Sequence, residues 1–487
     1  MNYTRILRAL MVSCGLLAGT GAMKEAPAAP SEQEADVAIA QTAVAPHDLP
    51  DVGVAVVPNL FEGAETIAIN PKNASQLVAG IDIRDAYYGQ GRGCAIKRSL
   101  DGGGTWSAPV MLPRPQGRTT PNSCYKSPAV AYAADGKRVF AAYQVVELSD
   151  PETNSDIETS SDIVVAVSED GGGSWQMPTE AIGRRPGESG EAGYYFYNIK
   201  LAVALEDPDR LYVIAHREDI ASGGHRTQLM FSRSSDGGRT WSAAEVLVTG
   251  NYEGPYLLGS SIAGGRDGEV MVAWGWAEFY NGTPKQIRIM RSRNFGATFA
   301  APVVAVNDNA SADVNTPDVA FGFAGAAHIV YRRRPNATPV YSVRYTYSGH
   351  APYQRWSAPV TIGRSAAVGF FSEARPELAI ERCGASSLLH VLWQDDRMVP
   401  QGRRSGKDLS LYYSRKLASS GSAWSKPLRI SDESPPGLWD STAVADLAAA
   451  GGNVFAIWSD VRGNPNRPTT LRSNVLGSAV NSGVTCP

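Results

Sequence analysis

The sequence predicts an all-β chain wound into one seven-bladed β-propeller. Three observations carry that prediction. The segment Ser99-Leu100-Asp101-Gly102-Gly103-Gly104-Thr105-Trp106 recurs at 168–175 and 234–241, with a worn copy at 292–299. Seven hairpins of alternating apolar residues accompany these copies, the period of half-buried strands. The 49 Gly and 31 Pro among 487 residues, with no sustained amphipathic helical pattern, suit many short strands and turns. Length alone suggests two or three domains. Repeats override that prior, because a repeat array grows without enlarging any single core.

In chain order, residues 1–22 read as an export signal. Arg5 and Arg8 precede a short apolar run, and Thr20-Gly21-Ala22 offers small residues for cleavage. Met11-Val12-Ser13-Cys14 is an alternative lipobox that would anchor the chain at Cys14. Either way the expectation is an exported protein, periplasmic or secreted. Residues 23–50 are rich in Ala, Pro and Glu and read as a flexible linker. Residues 51–487 are expected to be the single propeller domain. No later stretch holds 18 consecutive apolar residues, so no membrane span is expected. The net charge of -3 excludes a strongly basic nucleic-acid binder.

The first hairpin, 65–82, turns at Asn70-Pro71-Lys72-Asn73. Its counterparts are 129–143, 201–216, 261–274, 318–331, 377–393 and 443–458, which makes seven. The closing aromatic of the second hairpin stands at Trp106, Trp175, Trp241, Phe299, Trp356 and Trp424, which makes six. One outer strand is therefore missing, and residues 52–58 (Val-Gly-Val-Ala-Val-Val-Pro) can supply it. The last blade would then join the two chain ends and remove open sheet edges. A six-bladed ring is the alternative. In the recurring turn the Asp side chain can accept backbone N–H groups two residues on. The glycines supply positive φ, and the Trp buries a large ring while keeping a partner for its N–H.

This S-x-D-x-G-x-[ST]-W pattern resembles the Asp-box, or bacterial neuraminidase repeat, of the sialidase-like β-propellers. The resemblance covers about 52–480 as fold. It implies a carbohydrate-active protein in which converging arginines hold a sugar carboxylate and a Tyr activated by Glu serves as nucleophile. The sequence departs from sialidases in two ways. Their catalytic domain has six blades, and their Phe/Tyr-Arg-Ile-Pro motif is missing, the matching strand reading Glu65-Thr66-Ile67-Ala68.

Stacking the ends of the seven second strands gives one column of large residues: Ile81, Tyr143, His216, Trp274, Tyr331, Trp393 and Trp458. It reads as core between blades, and His216 is read chiefly as a member of it, with a catalytic base as the rival. The following columns switch to charged residues on the face formed by the loops that link blades and the loops between second and third strands. Arg forks bind carboxylates bidentately. The candidate substrate-binding residues are Arg84, Arg217, Arg332, Arg397 and Arg462, with Arg375 on a loop between blades; the competing role is ion pairing between blades. The candidate catalytic residues are Tyr197, Glu373 and Asp395. The acidic loop 147–162 reads as solvated rather than as a calcium site, and no metal or cofactor is expected. Cys94 and Cys124 fall on one face and Cys383 and Cys486 near the other, so the expected disulfides are Cys94–Cys124 and Cys383–Cys486.

Three functions fit these residues. The leading one is an exported, monomeric glycosidase of acidic glycans, sialic or uronic. The second is a polysaccharide lyase that uses Tyr197, His216 and Arg217 for proton abstraction beside a neutralised uronate. The third is a non-enzymatic propeller that binds a glycan or a protein.

Overall fold

The computed structural model describes residues 45–55, 60–85, 93–115, 128–148, 158–183, 194–219, 226–251, 256–278, 283, 285–308, 312–335, 340–349, 351–364, 375–395, 410–418, 421–432, 445–460, 474–484 and 486. Two short strands, β1 (His47–Asp48) and β2 (Val52–Ala55), come first in the chain but belong to the last blade. Blade one holds β3 (Leu60–Asn70), β4 (Asn73–Asp85), β5 (Gly93–Ser99) and β6 (Val110–Met111). Blade two holds β7 (Ala129–Tyr132), β8 (Val139–Leu148), β9 (Glu158–Ser168) and β10 (Thr179–Ile182). Blade three holds β11 (Tyr194–Val203), β12 (Leu211–Asp219), β13 (Arg226–Ser234) and β14 (Glu245–Asn251). Blade four holds β15 (Tyr256–Gly264), β16 (Val270–Ala277), β17 (Gln286–Ser292) and β18 (Val303–Asn307). Blade five holds β19 (Ala312–Phe321), β20 (Ala327–Pro335), β21 (Ser342–Ser348) and β22 (Val360–Arg364). Blade six holds β23 (Glu377–Cys383), β24 (Ser386–Asp395), β25 (Ser410–Leu417) and β26 (Leu428–Arg429). Blade seven holds β27 (Ala445–Ala450), β28 (Asn453–Asp460) and β29 (Asn474–Asn481).

Each blade is an antiparallel meander, so the ring has seven blades and not six. The closure expected from the chain ends is present. β2 pairs with β29 from Val52 opposite Gly477 to Ala55 opposite Val475, and β1 extends the same edge. β1 begins inside the stretch expected to be linker. No helix among the described residues is long and apolar enough to cross a membrane.

The hydrophobic core is divided among the junctions between blades. One cluster joins blades seven and one through Ile67, Ile81, Phe455 and Ile457. Six others repeat the arrangement around the ring. The column of large residues lies within this core, as expected: Tyr143, Trp274, Tyr331, Trp393 and Trp458 are fully buried members of successive junctions.

The recurring turns staple these junctions. Thr105 N–H and Oγ1–H donate to the Asp101 carboxylate at 2.9 and 2.6 Å, while Gly103 N–H donates to Ser99 Oγ at 2.9 Å. The Asp thus reaches four residues on rather than two, because two left-handed glycines (Gly102 φ 80°, Gly103 φ 100°) widen the loop. Gly103 lies where any Cβ would strike the Phe455 ring of the preceding blade, and Trp106 packs on that ring at 5.6 Å. The worn copy keeps the geometry with Asn294 accepting Thr298 N–H at 3.0 Å.

The Cys383–Cys486 disulfide is present and ties the β23–β24 turn to the end of the chain. Cys94 is disulfide-bonded and buried; Cys124, its expected partner, lies outside the described residues.

Candidate functional site

A cavity of about 250 Å³ opens at the mouth of the central channel, on the face where the inner strands begin. Its wall takes a few residues from most blades. Thr66 comes from β3, Gln144 from β8, residues 196–200 from β11 and 258–260 from β15. Residues 315–318 of β19, Arg332 of β20, Arg375, Pro376, Glu377 and Ala445 complete it. This is the face that the stacked strand ends predict.

The floor is polar: Thr66, Lys200, Asp318 and Glu377 line it. Ser261 and Asp446 stand at the same strand level as Thr66, Asp318 and Glu377, and Lys200 lies one position further along β11. Several of them stitch one blade to the next. Thr66 Oγ1–H donates to the Pro128 carbonyl of the next blade. Ser261 Oγ–H donates to Asp318 Oδ1 at 2.6 Å, and Asp318 Oδ2 accepts Leu378 N–H at 2.7 Å. Asp446 Oδ2 accepts Ile67 N–H at 2.7 Å across the closing junction. These carboxylates therefore hold backbone donors in place.

Lys200 supplies the positive charge among Glu377, Asp318 and Asp446. The Glu377 carboxylate beside it holds its ammonium above the usual lysine range. Burial pushes Glu377, Asp318 and Asp446 above the usual carboxylate range, and Lys200 opposes that rise in all three. Among the described residues no group of three or more His, Cys, Asp or Glu is placed to hold a metal ion.

Above the floor stands Tyr197, on the cavity wall, its ring 5.1 Å from that of His216. His216 is fully buried, and its Nε2 meets Ser260 Oγ at 2.9 Å. Asn198 Nδ2–H donates to the same hydroxyl at 3.0 Å. His216 is thus a core residue, as its column implies, and also the backing of a cavity tyrosine. Arg332 reaches the wall while one nitrogen, Nη2, donates to Asp313 Oδ2 at 3.2 Å and its guanidinium lies 4.9 Å from the Tyr341 ring centroid.

Of the residues singled out in the sequence, the cavity brings together Tyr197, Arg332 and Arg375. Arg217 is not on the wall. It is buried, donates to Asp219 Oδ1 of its own strand at 2.8 Å and stacks 4.1 Å from the Tyr194 ring centroid, a pairing within one blade rather than between blades. Asp395 is also buried away from the wall, accepting Trp393 Nε1–H at 3.4 Å. Glu373, Arg397 and Arg462 lie outside the described residues, as does the side chain of Arg84. Sequence reasoning passed over Lys200, Asn198, Ser260, Asn315, Thr316 and Glu377 as members of one site. A signal existed: polar residues interrupt the apolar pattern of the inner strands β11, β15, β19 and β23.

No known protein family matches the sequence, and no curated protein does. The fold has solved relatives. A protein of unknown function from Dyadobacter fermentans is 13% identical, with a TM-score of 0.51 over 90% of this chain and 99% of that one. The polysaccharide lyase Uly1 is 11% identical, with a TM-score of 0.51 over 90% of this chain and 99% of its own. A PL25 ulvan lyase is 11% identical, with a TM-score of 0.51 over 88% of this chain and 95% of its own. At these identities the likeness is one of fold: the chain is similar to these proteins in being a propeller of comparable extent.

Proposed function

We propose that this propeller is an exported carbohydrate-active enzyme that cleaves a uronate-containing polysaccharide by β-elimination. The observation that carries this reading is the pairing in one cavity of Tyr197 with two guanidinium side chains, Arg332 and Arg375, while Asp318 and Asp446 are committed to backbone N–H groups. The two-carboxylate route of hydrolysis needs two carboxyl groups free to work across a glycosidic bond, and with Asp318 committed to backbone the described cavity wall offers only Glu377. A Tyr197–Glu377 hydrolysis of the sialidase kind is the rival that the assay below separates from elimination. Elimination needs a proton acceptor and a cation that neutralises the uronate carboxylate. Two of the solved structures that share the fold are described as polysaccharide lyases, which agrees with the reading. The Cys383–Cys486 disulfide suits an oxidising compartment.

In this mechanism Arg332 and Arg375 take the uronate carboxylate and make the proton on the adjacent ring carbon acidic. Tyr197, as phenolate, removes that proton from C5. The electron pair forms the C4–C5 double bond as the C4–O4 bond breaks, and the Tyr197 proton passes to the departing oxygen. His216 and Ser260 hold the tyrosine ring in place from behind.

The test is incubation with polygalacturonate, alginate, hyaluronan and ulvan, following ultraviolet absorbance of unsaturated uronate alongside reducing ends. At least one polymer should give both signals together. Tyr197→Phe should lower the rate by about 10²–10⁴-fold with binding retained. Reducing ends without unsaturation would replace this reading by hydrolysis, and binding without cleavage by a binding propeller.

A further inference from the structure

We propose that Thr316 is a substrate-binding residue, kept in an unfavourable backbone conformation so that its hydroxyl meets the glycan. The proposal rests on the reading that the cavity takes an acidic glycan. Three consecutive inner strands break register at the same level: β11 between Tyr197 and Lys200, β15 between Leu258 and Ser260, β19 between Asn315 and Asp318. Each break contains one left-handed residue, Asn198 (φ 53°), Gly259 (φ 47°) and Thr316 (φ 48°), and all three line the cavity. Bulges of this kind re-aim side chains near functional sites.

Two of the three explain themselves. Asn adopts the left-handed region more readily than other side chains, and Asn198 uses its amide to hold Ser260. Gly259 suits glycine, whose positive φ costs nothing, and a Cβ there would also press on the Thr316 Cα at 3.2 Å. Thr316 has no such account. A β-branched residue is a poor choice for positive φ, and Pro317 restricts the residue before it further. Its backbone N–H is satisfied by Asn315 Oδ1 at 2.6 Å. Its Oγ1, however, is buried without a hydrogen-bond partner among the described residues. Two cavity residues share that state: Gln144 Nε2 and Arg332 Nε are buried and without a hydrogen-bond partner among the described residues, in residues 3% and 7% exposed. A buried polar atom without a protein partner calls for a water or a ligand group to take it. A hydroxyl, an amide and a guanidinium nitrogen just behind one cavity wall, each closed to water, would match the hydroxyls and carboxylate of a uronic acid residue after a small shift of the wall. Strain held at such a position is characteristic of binding sites.

The experiment compares wild type, Thr316→Ser and Thr316→Gly by affinity electrophoresis in polygalacturonate, alginate, hyaluronan and ulvan, with thermal unfolding and cleavage measured in parallel. The serine variant keeps the hydroxyl and should bind as wild type. The glycine variant removes the hydroxyl and suits the backbone; it should bind threefold to tenfold more weakly, the worth of one neutral hydrogen bond, with Tm unchanged or raised. Glycine binding equal to wild type would overturn the proposal, as would weakened binding together with a Tm loss above about 5 °C, which marks a structural role. Wild type that binds without cleaving, with the glycine variant weaker, would sink the elimination reading and leave this one standing. Wild type that binds none of the polymers would end both.

Discussion

At the scale of single residues, Lys200 decides whether the channel floor is tolerable. Three half-buried carboxylates, Asp318, Glu377 and Asp446, feel one ammonium, and each is lifted by desolvation and drawn back by Lys200, with Arg375 adding to the effect on Glu377. Removing the cation should leave the three acids without that compensation, so that their charged forms become costlier. Lys200→Met is therefore expected to lower Tm, and to do so more at high pH than at low. A carboxyl whose folded pKa is raised contributes stability that is present below its unfolded pKa and lost as pH rises through the folded one. Without the ammonium that loss steepens. Glu377→Gln added to Lys200→Met should restore part of the Tm at neutral pH. A Tm–pH slope for Lys200→Met no steeper than that of wild type would show that the ammonium does not offset these acids.

Among the elements, the closing strands β1 and β2 carry the ring. Asp48 of β1 accepts Ser478 Oγ–H at 2.7 Å from β29. Burial lifts its carboxyl to about 7, Ser478 pulls it down, and Asp51 and Asp432 repel its charge. Asp51 and Asp432 meanwhile exchange backbone N–H donors, Asp51 N–H to Asp432 Oδ2 at 3.0 Å and the reverse at 3.2 Å, and so tie blade six to the N-terminal strand. The raised folded value means that this clasp is strongest below the ordinary Asp range and weakens as pH rises through about 7. Thermal unfolding followed from pH 5 to pH 9 should show that decline. Asp48→Asn should flatten it, and an unchanged pH profile in that variant would remove Asp48 from the account. The recurring turns have the opposite sign: Thr105 bonds hold Asp101 down to about 2, so they stay intact across the same range.

For the whole molecule, stability is distributed over seven junction cores, each formed by two neighbouring blades. Such a ring is only as sound as its closure. Strand pairing through β2 and β29 closes it, and the Cys383–Cys486 bond, whose half-cystines are 103 residues apart, pins the segment after β29 to blade six. Cross-linking a loop of that size is worth about 2–5 kcal/mol. Cys383→Ser should therefore lower the urea midpoint with little change in activity, because the bond lies at the opposite end of the blades from the cavity. An unchanged midpoint would assign closure to strand pairing alone.

The sequence by itself determined the architecture. Blade count, the N-terminal closing strand, the core column and the Cys383–Cys486 pairing follow from strand period and turn chemistry, which are local and repeat along the chain. The tertiary structure decided the site. Its wall draws one to five residues from strands scattered between positions 66 and 445, and bulges in β11, β15 and β19 shift which side chains reach the cavity. Arg217 shows the limit. Nothing local says whether an arginine will meet a ligand or be consumed by Asp219 and Tyr194; only the packing of the folded blades sets that choice. Thr316 shows the same from the other side: its left-handed backbone and its buried hydroxyl belong to the folded cavity wall, and nothing in the local sequence signals them.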